Sequence, residues 1–486
     1  MLALPPGLLA GLGPLLKGAW DLWAKSALLL AALACAAFWL CARLLRGHVP
    51  LPARPLLVWA AGLAAWAGIS AHAGPLAAYA VPAWHVWLGA LGILLAFPIM
   101  AERERRLLDQ TLRALAWALG LLAVYQRFAL DLALPPASLL NPNIFAGAIL
   151  LLLPPAVGRR DWFLTALLFL CLCWSRSAGA WLGLAAAVLI VHRRGWGPAA
   201  VAAAAAACIV VIAAKAGTAD LRDRWVWWGA AARMAWDRPL LGFGPGTFAY
   251  VLPAYADPGR PLGSLFAHQH FLETAAELGG PFLAAWLAGL WIILRNGSPS
   301  RRIACLAVLV NSLWDYSLSI PAVLWLFCGT AGSCLPRDAR GRDVPARWRL
   351  PACAAVLACA WWAGSSVWSR WQAERERVQA QALIQAKGPS QEALDLLAVS
   401  ARRCDHPETA RLSGLVEAAL AGPGDAGRLQ AAAAHFERAV AQNPFRASTW
   451  ALLADSYSRL GREDLARAAR ERGAAALPRM RENDKG

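Results

Sequence analysis

Residues 80–106, AVPAWHVWLGALGILLAFPIMAERERR, combine a long apolar run with a cluster of arginines. The first part of this stretch, residues 80–100, is long enough to cross a bilayer, which takes about 20 apolar residues per helix. Its second part places Arg103, Arg105 and Arg106 directly after the apolar run. An apolar run followed at once by a short basic loop is typical of a membrane-spanning helix that ends on the cytoplasmic side.

The composition of the whole chain agrees with this pattern. Of the 486 residues, 59% are hydrophobic and only 16% are charged, whereas an average soluble domain has about 25% charged residues. This excludes a soluble globular enzyme, a disordered chain and a disulfide-stapled secreted module. The formal net charge of +17 would indicate nucleic-acid binding only if the basic residues formed one patch.

The apolar runs predict an all-α, polytopic membrane helical bundle of about 12 spans over residues 1–367. The first 25 residues are apolar but broken, and form either an interfacial helix or a further span. The twelve candidate spans lie near residues 26–42, 55–72, 80–100, 114–132, 143–158, 162–175, 179–192, 198–214, 280–295, 303–316, 320–335 and 350–367.

The arginines are unevenly distributed between the loops on the two sides of the predicted bundle. Six alternate short loops hold nineteen of them, whereas the other short loops and the adjoining span ends hold only Arg127 and Arg176. The positive-inside rule assigns the arginine-rich loops to the cytoplasm. The long loop 215–279 and everything after residue 367 are therefore expected outside the cytoplasm, and the basic charge no longer indicates nucleic-acid binding.

The C-terminal segment, residues 368–486, has a different composition and a 34-residue period. Ala432, Phe436, Ala439 and Pro444 each precede a matching small, turn or helix-surface residue by 34 positions, namely Ala466, Arg470, Gly473 and Pro478. This period predicts helix pairs like those of tetratricopeptide repeats. Such pairs stack into a concave surface, which either binds a partner or glycan or acts as a stabilising cap.

The loop 215–279 is the only long one within the membrane part, and long loops in compact domains are usually functional. Its sequence predicts a helix over 220–237, a glycine-rich turn over 242–248 and a second helix over 267–279. Arg224 and Trp228 are four residues apart and share a face of the first helix. Tight turns of this kind either only join two helices or bring their backbone close to another group.

The second helix of the loop carries the candidate base. His268 lies at or just before its start, where the positive helix end favours a neutral imidazole that can accept a proton. His270, Glu273 and Glu277 share one helical face. One alternative is a metal site built from His268, His270 and Glu273. Another is that the two histidines lie at the membrane interface and have no chemical role. Arginines of the loop suit phosphate oxygens, which they bind bidentately, unless they are simply solvated among the six acids of the loop.

The order of the motifs resembles the O-antigen ligase / O-antigen polymerase superfamily of bacterial membrane glycosyltransferases, over about residues 120–335. NPNIFAG (141–147), SRSAGAW (175–181), Arg224 with Trp228 followed by DRPLLGFGPGTF (237–248), and AHQHFLETAAELG (267–279) correspond to its motifs. Asp315 corresponds to a later aspartate. Members of this superfamily with appended tetratricopeptide repeats are a familiar variant.

The resemblance implies a multi-pass protein of the bacterial inner membrane with a periplasmic C-terminal domain. It implies inverting transfer of a glycan from undecaprenyl diphosphate to an acceptor hydroxyl, without a metal or another cofactor. The acceptor is a lipid A–core sugar for a ligase, a growing polysaccharide for a polymerase, or a protein serine or threonine for an oligosaccharyltransferase. A protein partner of the C-terminal helices is a further possibility.

The resemblance also assigns residues. It implies that His268 is the general base, and that Arg224 and Arg176 bind the pyrophosphate. We expect the same loop to bind substrate through His270, Arg222, Gly244 and Gly246. Gln269 replaces the usual asparagine of the family, which keeps an amide but puts any role of that side chain in doubt.

Two other classes of function stay open at this point. A transporter of the lipid-linked glycan usually carries ionisable residues near the midplane and inverted repeats, and neither pattern is evident in this sequence. A non-catalytic assembly scaffold organised by the C-terminal segment is the other alternative.

Overall fold

The computed structural model describes residues 2–192, 219–256, 263–338 and 340–476, and these form an all-α, polytopic membrane protein. The predicted fold class is therefore confirmed. An N-terminal segment, Leu4–Leu15, forms a broken helix. The helices and strands that follow it in the membrane part are α1 Leu22–Leu45, β1 His48–Leu51, α2 Arg54–Ala73, α3 Ala77–Ala96, α4 Glu102–Phe128, α5 Pro142–Gly158, α6 Trp162–Ser175, α7 Ala178–His192, α8 Ala219–Asp237, α9 Phe248–Val251, α10 His270–Leu278, α11 Gly280–Leu294, α12 Pro299–Asn311, α13 Pro321–Gly332 and β2 Arg340–Asp343.

Short 3₁₀ turns of the membrane part lie at Lys17–Ala19, Phe97–Ile99, Leu252–Ala254 and Ser317–Ser319. The remaining helices begin with a long one that continues out of the membrane part. The C-terminal helices are α14 Ala346–Lys387, α15 Gln391–Arg403, α16 Pro407–Leu420, α17 Ala426–Gln442, α18 Ala447–Arg459 and α19 Glu463–Ala475.

Five of the described helices are long and apolar enough to cross a membrane: α1, α2, α3 with the 3₁₀ turn after it, α4 and α14. Six shorter segments are also apolar: Leu4–Leu15, α5, α6, α7, α11 and α13. The predicted span 198–214 lies outside the described residues. The predicted span 303–316 corresponds to α12, which ends at Asn311 and begins at Pro299.

The N-terminal segment is part of the core, and whether it is an interfacial helix or a further span stays open. All twelve residues of α13 are buried, and the segment packs against this helix. A Cβ added to Gly13 would lie 3.0 Å from the Cβ of Ala322 and 3.3 Å from the Trp325 ring. Glycine at this position thus lets the two elements approach closely.

The arginine-rich segments that the structure describes lie at one end of the bundle. Strands β1 and β2 come from two of them and pair antiparallel, with His48 opposite Asp343. Arg105 of α4 donates a hydrogen bond to the carbonyl oxygen of Leu335, and Arg113 of the same helix forms a 2.7 Å ion pair with Asp161, which precedes α6. The other end holds α8–α10 and the C-terminal helices, where Tyr79 at the start of α3 meets Glu408.

Helix α14 connects the two ends. It has 42 residues, which corresponds to about 63 Å at 1.5 Å per residue. It begins beside β2 and continues beyond the bundle into the C-terminal helices. Among these helices, the side chains of Phe436, Trp450 and Leu453 form a separate apolar core. Helices α17, α18 and α19 lie in the stretch for which the 34-residue period predicts helices. Pro478 lies outside the described residues.

Candidate active site

Helix α8 brings an arginine and a tryptophan to the same place. Arg224 and Trp228 are one turn apart and face the same way. The guanidinium of Arg224 donates a hydrogen bond to the carbonyl oxygen of Trp314. The indole N–H of Trp228 donates to the carbonyl oxygen of His268 at 3.3 Å. One face of α8 thus holds the segment before α10 and the segment after α12.

His268 lies two residues before the first residue of α10, as the sequence predicts. The side chain of Gln269 caps this helix, since its Oε1 accepts a 2.6 Å hydrogen bond from the Leu272 N–H. Gln269 therefore caps the helix through its side-chain amide oxygen, a group that the usual asparagine of the family also has. His268 itself has a left-handed backbone, with φ at 55°. Residues held in this sparsely populated region often cluster at active sites.

The imidazole of His268 is half-buried between two aromatic rings. It stacks on Trp227 with ring centroids 4.8 Å apart, and it meets Tyr316 edge-on at 4.6 Å. Both neighbours limit the orientations of the ring. A base that is held by its neighbours needs no reordering before it accepts a proton.

Tyr316 is itself held by the first of the sequence motifs. The side-chain amide of Asn141 donates a 2.6 Å hydrogen bond to the Tyr316 hydroxyl, and the Asn141 Oδ1 caps α5 by accepting from the Ile144 N–H at 3.0 Å. The ring of Phe266 stacks on the ring of Tyr316, with centroids 4.3 Å apart. Tyr316 was missed by sequence reasoning, which singled out only the neighbouring Asp315.

Asp315 is buried and faces its own loop. Its carboxylate accepts hydrogen bonds from the backbone and the hydroxyl of Ser317. Burial raises the pKa of Asp315, whereas the Ser317 donors and the nearby charge of Arg224 lower it. Asp315 therefore shapes the loop that receives Arg224.

The inner face of α10 is polar and buried, and it carries His270, whose contact with substrate stays a prediction. The His270 Nδ1 lies 3.1 Å from the Ser319 hydroxyl, which donates to Glu273 Oε1 at 2.6 Å. The Ala267 N–H donates to Glu273 Oε2 at 2.7 Å. Burial lowers the pKa of His270 to about 4, so its imidazole is neutral at physiological pH. These contacts indicate that His270 helps to hold α10 in place.

Glu273 and Glu277 lie one turn apart on this face. Burial raises the pKa of both carboxyls, and the proximity of Glu277 raises that of Glu273 further. Sequence reasoning also considered a metal on His268, His270 and Glu273. Within the described residues, no group of three or more histidines, cysteines or acids is arranged to hold a metal ion.

The glycine-rich turn binds the second of these acids. The N–H groups of Gly246 and Phe248 donate to the Glu277 carboxylate at 2.7 and 2.9 Å. Gly244 and Gly246 have φ values of 109° and 71°, and an added Cβ would lie 2.9 Å from the Cβ of Ala80 or Ala83. The backbone of this turn thus approaches α3 and α10 closely, and contact of Gly244 and Gly246 with substrate stays a prediction.

The other two candidate arginines lie apart from these contacts. Arg176 ends α6 with a left-handed backbone, and its side chain is exposed. The following helix packs beside the Arg224 acceptor, since a Cβ on Gly179 would lie 4.0 Å from the Trp314 Cβ. Arg222 is also exposed. It is two residues from Arg224, and side chains at this spacing do not share a helix face.

A cavity of about 620 Å³ opens beside α10. Phe266, His270 and Glu273 line one side of it. Side chains of the C-terminal helices, such as Arg377, line another side. Sequence reasoning missed these C-terminal residues. The only available signal was the spacing of polar residues along the continuation of the last predicted span.

Comparison with known families supports the resemblance drawn from the motifs. Residues 163–287 match the family model of the O-antigen ligases, and this range contains all the candidate site residues from Arg176 to His270. Residues 163–287 are thus similar to the O-antigen ligases, and this similarity suggests a membrane enzyme of glycosyl transfer in lipopolysaccharide or polysaccharide synthesis. No curated protein matches the chain. The tetratricopeptide assignment of residues 368–486 stays a prediction.

Proposed function

We propose that this chain transfers a glycan from undecaprenyl diphosphate to an acceptor hydroxyl at the periplasmic face of the inner membrane. His268 is the general base, and Arg224 and Arg176 bind the pyrophosphate. The preferred acceptor is a lipid A–core sugar, and a growing polysaccharide or a protein hydroxyl is the alternative within the same superfamily.

The observation that carries this proposal is the joint position of Arg224, Trp228 and His268. One face of α8 presents the arginine and also bonds to the backbone of the histidine. A cation and a base held on one small framework suit a reaction in which an anion leaves while a hydroxyl attacks.

The proposed step balances as follows. The acceptor hydroxyl gives its proton to the imidazole of His268, and its oxygen bonds to the anomeric carbon of the donor sugar. The bond between that carbon and the pyrophosphate oxygen breaks, and its electron pair leaves with undecaprenyl diphosphate. Attack from the face opposite the leaving group inverts the anomeric centre.

The arginines supply the electrostatic part of this step. Negative charge develops on the pyrophosphate as the bond breaks, and a guanidinium binds phosphate oxygens bidentately. Arg224 is half-buried and held through Trp314, so its charge is in place before the reaction begins. Charge stabilisation by groups that need no reorganisation is the most effective kind.

The distribution of charge supports the periplasmic side. The arginine-rich segments that the structure describes lie together at one end of the bundle, through the β1–β2 pairing, the Arg105–Leu335 hydrogen bond and the Arg113–Asp161 ion pair. The candidate site lies at the other end. If the positive-inside rule places the first end in the cytoplasm, the site faces the periplasm, where lipid-linked glycans are presented.

The test is a reconstitution of the purified full-length chain with an undecaprenyl-diphosphate-linked glycan and a panel of acceptors. We expect a covalent product and stoichiometric release of undecaprenyl diphosphate. Glycan that crosses sealed vesicles without forming a covalent bond would contradict the proposal and support a transporter. The acceptor that reacts, whether delipidated core oligosaccharide, repeat unit or peptide, identifies the branch of the superfamily.

A further inference from the structure

The cavity beside α10 has one wall built by the C-terminal helices. Arg370, Ala373, Glu374 and Arg377 of α14 all line it. They are spaced as one stripe of a helix, at i, i+3, i+4 and i+7. The stretch of α14 that lies beyond the membrane part thus turns a continuous charged stripe toward the cavity.

A second part of the same wall comes from the N-terminal ends of α16 and α18. His406, Glu408 and Arg446 line the cavity. The Glu408 carboxylate forms ion pairs with Arg446 and, at 2.9 Å, with Arg411. Its Oε1 also accepts a 3.3 Å hydrogen bond from the hydroxyl of Tyr79, which fastens this wall to α3.

Aromatic rings stand beside these charges. Tyr79 stacks on Tyr250 with ring centroids 3.7 Å apart, and both line the cavity together with Trp20 and Phe266. Tyrosine and tryptophan offer an apolar ring face and a polar tip in one side chain. The wall therefore combines flat apolar surfaces with hydrogen-bonding groups.

The cavity borders the short segment that carries the candidate base. Leu265, Phe266 and His270 line it, and His268 lies between the last two of these residues. Phe266 and His268 both contact the ring of Tyr316. His268 itself is not among the residues that line the cavity, and neither are Arg176, Arg222 and Arg224. The cavity thus comes within two residues of the base along the chain, whereas no residue next to the arginines proposed for the pyrophosphate lines it.

We propose that this cavity binds the sugar rings of the acceptor glycan, and that the C-terminal helices of this chain supply the wall that recognises them. This rests on the proposed function, in which the acceptor hydroxyl must reach His268. The C-terminal segment then determines acceptor specificity and is more than a stabilising cap.

Three features favour a carbohydrate as the occupant. Sugar rings present apolar C–H faces that pack on aromatic rings and hydroxyls that both donate and accept hydrogen bonds. The lining offers both kinds of partner, since it holds basic Lys25, Arg370, Arg377 and Arg446 together with acidic Asp21, Glu273, Glu277, Glu374 and Glu408. This balance of charge suits a polyhydroxylated ligand better than a strongly anionic one. The volume falls within the range of about 300–1,000 Å³ that is usual for sites of small ligands.

Arg377 is the residue whose removal tests this most cleanly. Its side chain is 16% exposed, and its nearest carboxylate oxygen, on Glu374, is 3.9 Å away. Replacing it therefore breaks no short ion pair within the wall. Arg438 is the matched control, because it lies in the same C-terminal helices, pairs with Asp405 at 3.2 Å and does not line the cavity.

The experiment measures steady-state transfer by the full-length chain and its Arg377→Gln and Arg438→Gln variants, with donor and acceptor varied separately. A hydrogen bond from a charged group contributes about 1.5–3 kcal/mol. We thus expect Arg377→Gln to raise the KM for the acceptor about tenfold or more and to leave the KM for the donor unchanged, with Arg438→Gln like the wild type. Glu374→Gln is the second variant, used if Arg377→Gln lowers the thermal unfolding midpoint.

Calorimetric binding of delipidated core oligosaccharide, of the free repeat unit and of a serine-containing peptide, without donor, separates the two proposals. Oligosaccharide binding that Arg377→Gln weakens supports the cavity assignment, even if no transfer is observed and the proposed function fails. Transfer with an unchanged acceptor KM in both variants overturns the cavity assignment and leaves the proposed function standing. Binding of the peptide alone overturns the carbohydrate assignment.

Discussion

The indole N–H of Trp228 donates a 3.3 Å hydrogen bond to the carbonyl oxygen of His268, 40 residues further along the chain. This bond joins the helix that presents Arg224 to the left-handed residue that precedes α10. The position of the proposed base is thus tied to the position of the proposed pyrophosphate ligand. Two of the four motifs that carry the family resemblance meet at this contact.

Replacing this tryptophan tests the link. Trp228→Phe keeps an aromatic ring but removes the donor, and a neutral hydrogen bond contributes about 0.5–1.5 kcal/mol. We expect kcat/KM for transfer to fall about threefold to tenfold. The control is Trp225→Phe, since Trp225 lies on the same helix but is 63% exposed. Equal activity of both variants would show that the Trp228 bond does not position the base.

The proposed role of Arg224 predicts that charge alone is not enough. Arg224→Lys keeps the positive charge but loses the planar donors that bind phosphate bidentately. We expect the rate of glycan transfer to fall by more than tenfold, together with weaker binding of undecaprenyl diphosphate. Arg233→Lys on the same helix is the control. Full activity of Arg224→Lys would argue against pyrophosphate binding by this side chain.

The glycine turn predicts an effect on stability. Gly246 has a left-handed φ of 71°, which costs other residues about 1–2 kcal/mol. Its new Cβ would also lie 2.9 Å from that of Ala83. Gly246→Ala should lower the thermal unfolding midpoint in detergent, whereas Gly229→Ala, in the middle of α8, should not. An unchanged midpoint for Gly246→Ala would show that the turn adapts without strain.

The acids of α10 predict a dependence of stability on pH. Burial, and then the nearby Glu277, raise the pKa of Glu273 to about 8 in the folded state. The unfolded chain gives up this proton at lower pH, near the ordinary value of about 4.3 for glutamate. The stability is therefore fullest below that value and is lost as the pH rises toward 8.

Glu273→Gln tests this pH dependence. Glutamine stays neutral, and its amide can donate to the Ser319 hydroxyl. The variant should therefore show a smaller fall of the unfolding midpoint between pH 5 and pH 8 than the wild type. The exposed Glu392→Gln should keep the wild-type slope. If Glu273→Gln has the wild-type slope too, ionisation of Glu273 does not destabilise the folded state.

The fold class and the two helices of the long loop could be predicted from the sequence, because both depend on local patterns. Long apolar runs identify spans whatever they pack against, and helix α8 ends at Asp237, before Pro239, as expected. The number of membrane-spanning helices is harder to predict from the sequence. Helices such as α13 are shorter than the about 20 residues of a membrane span, and all twelve residues of α13 are buried.

The site was predictable only in part. His268 and Arg224 stand in motifs, and the structure brings their segments together through Trp228 and Trp314. The contacts of Tyr316 and Ser319 could not be predicted, since they depend on how the loop after α12 folds back on α10. The same holds for Arg377, whose place beside the cavity follows from the path of α14 and leaves no pattern near the motifs.

The most direct test of the account is the rate of glycan transfer by purified His268→Ala, with His72→Ala as the control. His72 is an exposed histidine on α2 that bonds to its own helix, with Nδ1 2.8 Å from the Gly68 carbonyl oxygen. Because general base catalysis contributes about 10²–10⁴-fold, His268→Ala should lose at least a hundredfold in kcat, while donor binding and the unfolding midpoint stay unchanged. Full transfer by His268→Ala would contradict the mechanism proposed for this protein.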